Sequence, residues 1–557
     1  MDAPPKQACS DRSHDPKRRN KMKRARYLVA IAVLICALSS LHRPARAMVT
    51  CESLTSLSLS DATITLAKSI PAGTFTAPNG QVFTGMPAFC EVQGVAKPTS
   101  VSAINFEVWM PISGWNGKFE GVGNGGLAGT IVYSSMAPPL QRGFATAGTD
   151  TGHSPAEPQL WLQNRDLIID YSYRGLHEMT TNAKAVIAAF YQQSPAVSLY
   201  SGCSTGGKEG LYEAQLYPED YDGIVAGDPA NFWTHVMFAE VWVGQATDEP
   251  ATTLSDATLQ TLHNAVLKAC DGLDGVIDGL ITDPRQCHFD PRVLQCRGTN
   301  ASNCLTAAQI GAIDKIYQGP VNPQTHQSIF PGYSLSSEVG WGSAFGTPLI
   351  NRTTSSGVSS YDFFRFAVFD DPNWDFRTLN FNGDVRLVDD EFASIMNATS
   401  PDLQQFKKLG HKLIQYHGFS DPLAPTLNSL NYYESVVADQ AHRPHTGDPL
   451  KNTQDFYRLF LAPGMYHCGS GPGPNVFNGV NNQGGPEDPE HDVVSALDRW
   501  VENGVAPDQI IATHYTNGVA DNTRPMCPFP KFARYKGHGP TNAASSYFCA
   551  YESGGYP

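Results

Sequence analysis

Five residues, Gly202-Cys203-Ser204-Thr205-Gly206, constrain this chain more than any other segment. They lie between an apolar strand-like run at 197–201 and a helix-like run at 208–216 that Pro218 ends. A sharp strand-to-helix turn crowds the backbone of its central residue, and glycine on both sides relieves that crowding. Such a turn holds the Ser204 hydroxyl out at the carboxyl edge of a sheet, where the amide groups of the following helix also point. An ordinary glycine turn can carry the same letters. The strand before and the helix after favour the nucleophile elbow.

The surrounding pattern says what sheet the elbow sits on. Runs at 104–110, 118–122 and 144–150 read as strands, the first as a half-buried one by its alternation. A helix is expected over 176–193, with Met179, Ala183, Val186, Ile187 and Phe190 on one face, and a strand over 223–227. This alternation predicts an α/β fold with a mostly parallel sheet covered on both faces. From 232 to 400 glycine, proline, aromatics and cysteines cluster and the alternation stops, which reads as an inserted lid domain. The α/β pattern resumes at 411–416 and 456–461, and 491–503 reads as an amphipathic helix. The expected division is 1–47 as leader, 48–231 and 401–557 as the two parts of the core, and 232–400 as the lid.

The leader carries a basic run from Lys17 to Arg26, an apolar stretch over 27–38 too short to span a bilayer comfortably, and Ala45-Arg46-Ala47. It reads as a secretory signal peptide, so the mature chain is expected to be secreted or periplasmic, with no membrane association after cleavage. A net charge of -14 with 41% hydrophobic residues describes a globular, acidic protein and disfavours nucleic acid as a partner.

A serine needs a base, and in the elbow-type folds the acid and then the histidine follow it along the chain. Asp421 lies in the loop after the strand ending Gln415-Tyr416, and His467 in the loop after the next strand. His417 and His491 are rivals for the base, Asp228 and Asp402 for the acid. An oxyanion needs preorganised N–H donors. Thr205 offers one, and Gly125 or Gly126, in the glycine loop after 118–122, offers another.

Ten cysteines remain beyond the leader. Proximity pairs Cys51 with Cys90, Cys270 with Cys287, Cys296 with Cys304 and Cys527 with Cys549, which leaves Cys203 and Cys468. These two adjoin Ser204 and His467. Side chains in contact within a triad bring their chain neighbours to disulfide distance, so the cysteines and the triad support each other. Cys203 as nucleophile is disfavoured by the oxidising compartment. Asp271, Asp274 and Asp278, spaced by glycines, with the carbonyls of Val276 and Leu280, offer hard oxygen ligands suited to calcium. The same spacing suits a solvated Asp/Gly turn.

Taken together, Cys203-Ser204, Asp421, His467-Cys468 and Asp271-Gly272-Leu273-Asp274-Gly275 resemble the tannase and feruloyl esterase family over about 51–549. The resemblance implies an α/β-hydrolase core with a large lid, a disulfide joining the triad strands, and structural Ca2+ on Asp271, Asp274, Val276, Asp278 and Leu280. It implies a serine esterase acting on feruloyl or other hydroxycinnamoyl esters, as small aromatic esters or on ester-decorated plant polymers. Galloyl esters and terephthalate monoesters are the alternatives within the family. Lid arginines Arg352, Arg365 and Arg386 could meet a terephthalate carboxylate, and Trp341, Phe364, Phe366 and Trp374 are lid aromatics that could line an acid pocket. A calcium-dependent polymer-binding protein that lost catalysis is the alternative outside enzymes, and the intact triad speaks against it.

Overall fold

The structure is a computed structural model that describes residues 49–297, 303–345, 349–350, 359–443 and 447–551. The expected signal-peptide segment 1–47 and Arg352 lie outside these residues. The described residues form fifteen strands: β1 (Ala62–Ile70), β2 (Gly73–Thr76), β3 (Val82–Met86), β4 (Phe89–Ala96), β5 (Ile104–Pro111), β6 (Lys118–Val122), β7 (Ala145–Thr149), β8 (Val197–Cys203), β9 (Gly223–Gly227), β10 (Lys412–Gly418), β11 (Tyr457–Ala462), β12 (Ile510–Thr516), β13 (Val519–Met526), β14 (Lys531–Tyr535) and β15 (Tyr547–Tyr551). Nine of them make one sheet in the order β1-β4-β5-β7-β6-β8-β9-β10-β11. Every pairing from β7 to β11 is parallel, and β1, β4 and β5 add antiparallel strands at the other side.

Helices cover both faces, as a parallel sheet requires. On one face α1 (Gly175–Tyr191) and α2 (Thr205–Leu216) pack with the apolar side of β5 to β10. On the other lies α7 (Val493–Asn503), whose Val493, Val494, Leu497 and Trp500 close over Leu199, Val225 and Ile414. The result is an α/β-hydrolase core. β5 departs from the half-buried expectation. Glu107, on its polar face, is buried, because this strand lies inside a sheet covered on both sides.

Between β9 and β10 the chain adds no strand to the sheet among the described residues. It forms α3 (Trp233–Thr247), α4 (Asp256–Cys270), α5 (Ala307–Gln318), α6 (Asp384–Met396) and short turns, around one apolar cluster of its own and one shared with residues 128–171 of the core. The sequence pattern missed these helices. α3 is buried nearly all round, so it lacks the polar stripe that marks an amphipathic helix. α5 did carry a start signal, a capping box between Thr306 and Gln309. All five expected disulfides form: Cys51–Cys90, Cys203–Cys468, Cys270–Cys287, Cys296–Cys304 and Cys527–Cys549.

Candidate active site

Four adjacent parallel strands end level with one another. Cys203 pairs with Gly227, Gly227 with Tyr416, and Gly418 with Ala462. The residues at and just past these ends build the site: Ser204 and Asp228 directly after β8 and β9, Asp421 and His467 in the loops that follow β10 and β11.

Ser204 has φ 64 and ψ -120, a conformation that ordinary residues avoid, and begins α2. Its amide donates to the Gly227 carbonyl at 2.9 Å. The flanking glycines are needed for contact. A Cβ on Gly202 would lie 2.5 Å from the Gly206 carbonyl oxygen, and one on Gly206 would lie 2.8 Å from that of Asn124. The loop after β6 is thus laid directly against the elbow. Gly206 N donates to the Asn124 carbonyl at 2.8 Å, and the Thr205 and Tyr171 hydroxyls donate to the Gly126 carbonyl at 2.6 and 3.1 Å. No protein acceptor is found for the amides of Gly125, Gly126 and Thr205 among the described residues, and space opens beside both glycines. This is the arrangement an oxyanion requires.

His467 Nδ1 lies 2.6 Å from Asp421 Oδ2, and both side chains are buried. Burial would raise the Asp421 carboxyl, but the His467 and His417 imidazoles outweigh it and hold the group well below the usual carboxylate range. Burial alone would lower the proton affinity of His467. Asp421, with Asp228 and Glu240 behind it, reverses the sign and raises the imidazole. Cys203–Cys468, with Cα atoms 5.9 Å apart, ties the residue before Ser204 to the residue after His467. One atom from each of Asp228, Asp421 and His467 falls within 4.8 Å of the others.

The rivals resolve by position. His491 pairs with Asp488, and Asp402 sits on the surface with Arg443. Asp228 and His417 do reach the site, and their closeness was not legible in the sequence. Neither was the support under the glycine loop, where Glu209 accepts the Asn124 amide at 3.0 Å and buried Lys208 sets its ammonium 4.1 Å over the Tyr171 ring. Of the lid side chains, Trp341, Phe364 and Trp374 are buried in apolar clusters, the last two in the cluster shared with the core, and Arg386 is exposed. Phe366 lines a cavity of about 330 Å³ with Leu162, Arg165 and Phe392.

The Asp271 loop lies in the insertion. Asp271 accepts the amides of Asp278 and Gly279, Asp274 those of Val276 and the Thr282 hydroxyl, and Asp278 pairs with Arg524 of β13. One oxygen from each aspartate does not fall inside a 4.8 Å span. Val276 and Leu280 are nonetheless buried, and no donor to their carbonyls is found among the described residues. Three carboxylates and two buried carbonyls without donors fit a hard cation.

Fold and site together define a carboxylic ester hydrolase built on the α/β-hydrolase core. The family model described as tannase and feruloyl esterase matches residues 90–550, and the chain belongs to that family. It is 38% identical to an uncharacterised esterase of Xanthomonas campestris pv. campestris over 541 residues, 92% of this chain and 93% of that protein. It is 31% identical to a protein named Probable feruloyl esterase B-2 of Neosartorya fischeri, covering 87% of this chain and 92% of that one. The crystal structure of feruloyl esterase B from Aspergillus oryzae matches with TM-score 0.83 at 30% identity, over 90% of this chain and 99% of that chain. Tannin acyl hydrolase from Aspergillus niger shares the fold, with TM-score 0.71 at 21% identity over 89% and 93%.

Proposed function

We propose that this protein is a secreted serine esterase that hydrolyses esters of aromatic acids of the feruloyl type through an acyl-enzyme. The observation that carries the mechanism is the His467–Asp421 contact at 2.6 Å beside an elbow serine tethered through Cys203–Cys468. With Nδ1 engaged on Asp421, His467 uses Nε2 to take the Ser204 proton as the oxygen attacks the ester carbonyl. Negative charge on that carbonyl oxygen is met by the amides of Thr205 and of Gly125 or Gly126. The alcohol leaves with the proton from His467, and water activated the same way releases the acid.

The feruloyl choice rests on the relatives named feruloyl esterase, which stand at 30% identity or above, against 21% for the tannin acyl hydrolase. Secretion is supported by five disulfides and by the leader's composition. A calcium ion on Asp271, Asp274, Asp278 and the carbonyls of Val276 and Leu280 would neutralise the loop and hold it in shape. The chemistry at Ser204 is carried by amides and imidazole alone. Comparing kcat/KM on methyl ferulate, a galloyl ester and a terephthalate monoester tests the substrate class. Methyl ferulate is expected to lead, and a tenfold or greater preference for either of the others overturns the feruloyl assignment.

A further inference from the structure

Asp421 carries two imidazoles on one oxygen. Oδ2 lies 2.6 Å from His467 Nδ1 and 3.1 Å from Nε2 of His417, while Oδ1 accepts the amides of Leu423 and Ala424 at 2.7 and 3.0 Å. His417 is fully buried on β10. Its Nε2 also stands 3.0 Å from the Ala424 carbonyl and 3.7 Å from Asp228 Oδ1. A carbonyl can only accept, so Nε2 bears a proton. Nδ1 lies 2.7 Å from the Ser429 hydroxyl. Asp228, also fully buried, accepts the Gly418 amide at 2.7 Å and the Cys468 amide at 3.2 Å, so it joins the end of β10 to the segment that carries His467.

We propose that His417 and Asp228 are positioning residues for the reaction, a buried imidazolium–carboxylate pair that holds the Asp421 oxygen in place and sets the charge against which His467 works. The proposal rests on the triad reading above. The charged groups facing His467 are Asp421, Asp228 and, from α3 of the insertion, Glu240; those facing His417 are Asp228 and Asp421. These carboxylates raise the proton affinity of His467, which works against its role as a base. A fixed positive charge on the far side of Asp421 lowers the proton affinity of His467 again. Burial opposes charge on His417, but Asp228 and Asp421 overcome it and raise the group.

The test is the pH dependence of kcat/KM for the wild type, H417Q and D228N, with thermal melts of each and S204A as the inactive reference. H417Q keeps an N–H donor and removes the charge, and should move the acid limb upward by about one pH unit. D228N removes a negative charge and should move it downward. An H417Q protein that loses activity with its limb unmoved is a packing defect and overturns the proposal. If H417Q does not fold, nitrogen-15 spectra of histidine-labelled S204A decide instead. One imidazole should keep both ring protons from about pH 6 to about pH 8, where an ordinary histidine is neutral for most of the range, and their absence overturns the proposal. Turnover surviving in S204A would sink the triad itself; an inactive S204A with an unmoved H417Q limb sinks only this inference.

Discussion

Two acidic clusters in this molecule, one fully buried and one partly exposed, are balanced in different ways. At the carboxyl edge of the sheet, Asp228 and Asp421 face His417 and His467, so the chain itself supplies the opposing charge. In the insertion, Asp271, Asp274 and Asp278 face one cation, Arg524, and two buried carbonyls have no donors among the described residues. The first cluster is complete as folded and can move a proton within itself. The second has more negative charge than its own residues neutralise, and its carboxylates are partly withdrawn from water, which favours a counter-charge. On the proposed reading, the first cluster does chemistry and the second holds structure.

Substituting the acid in each cluster should break the comparison most sharply. D421N leaves the volume unchanged but offers His467 Nδ1 the wrong partner, and turnover should fall by about 10⁴-fold. D274N in the other cluster should leave turnover within about threefold of wild type, an effect on the loop alone. Equal losses in the two variants would mean that the loop shares in catalysis.

The double variant C203A/C468A removes the covalent tie between the elbow and the histidine loop. Closing a loop between residues so far apart in the chain constrains the unfolded state strongly, and its loss should cost about 2–4 kcal/mol of stability. Turnover should fall as well, because the Ser204 and His467 backbones lose their fixed spacing. Chemical denaturation with and without reductant checks the first effect. Unchanged stability would show that the packing around β8 and β11 holds the edge without the bridge.

Chelation addresses the second cluster. If a calcium ion balances the three aspartates, removing it should lower Tm by an amount that returns with added calcium, since only the folded loop binds it well. At a free calcium of 100 times Kd the stabilisation is about 2.7 kcal/mol. Metal analysis of protein purified without chelator, and melts of D274N across calcium concentrations, give the measurement. A chelated protein that melts as before but stops turning over would reverse the roles assigned to the clusters.

How much of this was visible in the sequence depends on the range of the interaction. Local signals served well: β6 and β9 fall where the apolar runs placed them, and the elbow, Asp421 and His467 sit at strand ends because strand–loop patterning is local. The Cys203–Cys468 tie was readable only because two residues with a covalent preference adjoin two others with a chemical one. His417 precedes the acid in the chain, out of the serine–acid–histidine order. Its value comes from facing back across a turn onto Asp421 and Asp228, which no spacing rule records. Buried polar residues in the sheet were missed for a similar reason. Alternation marks Glu107 as solvent-facing, and only the helices laid over that face bury it.

Glu107 supplies the smallest and last test, since it shows what the fold does with a buried acid that has neither imidazole nor metal. Its carboxyl accepts from Trp109 Nε1 at 3.2 Å and from Gln93 Nε2 at 3.4 Å, with Glu91 beside it. Burial, reinforced by Glu91, pushes the group up to about 8, so in the folded protein it holds a proton through most of the neutral range. The sign follows from linkage. A carboxyl whose proton affinity is higher folded than unfolded favours the folded state fully below its ordinary value near 4.5, and that contribution is lost as pH rises through about 8. Stability should therefore fall across this window with a slope of up to about 1.4 kcal/mol per pH unit from this one group. E107Q mimics the protonated form at every pH. Its melting temperature should match the wild type near pH 5 and exceed it near pH 8, flattening the profile there. A parallel offset at all pH values would mean that Glu107 ionises freely and that the sheet tolerates an uncompensated carboxylate.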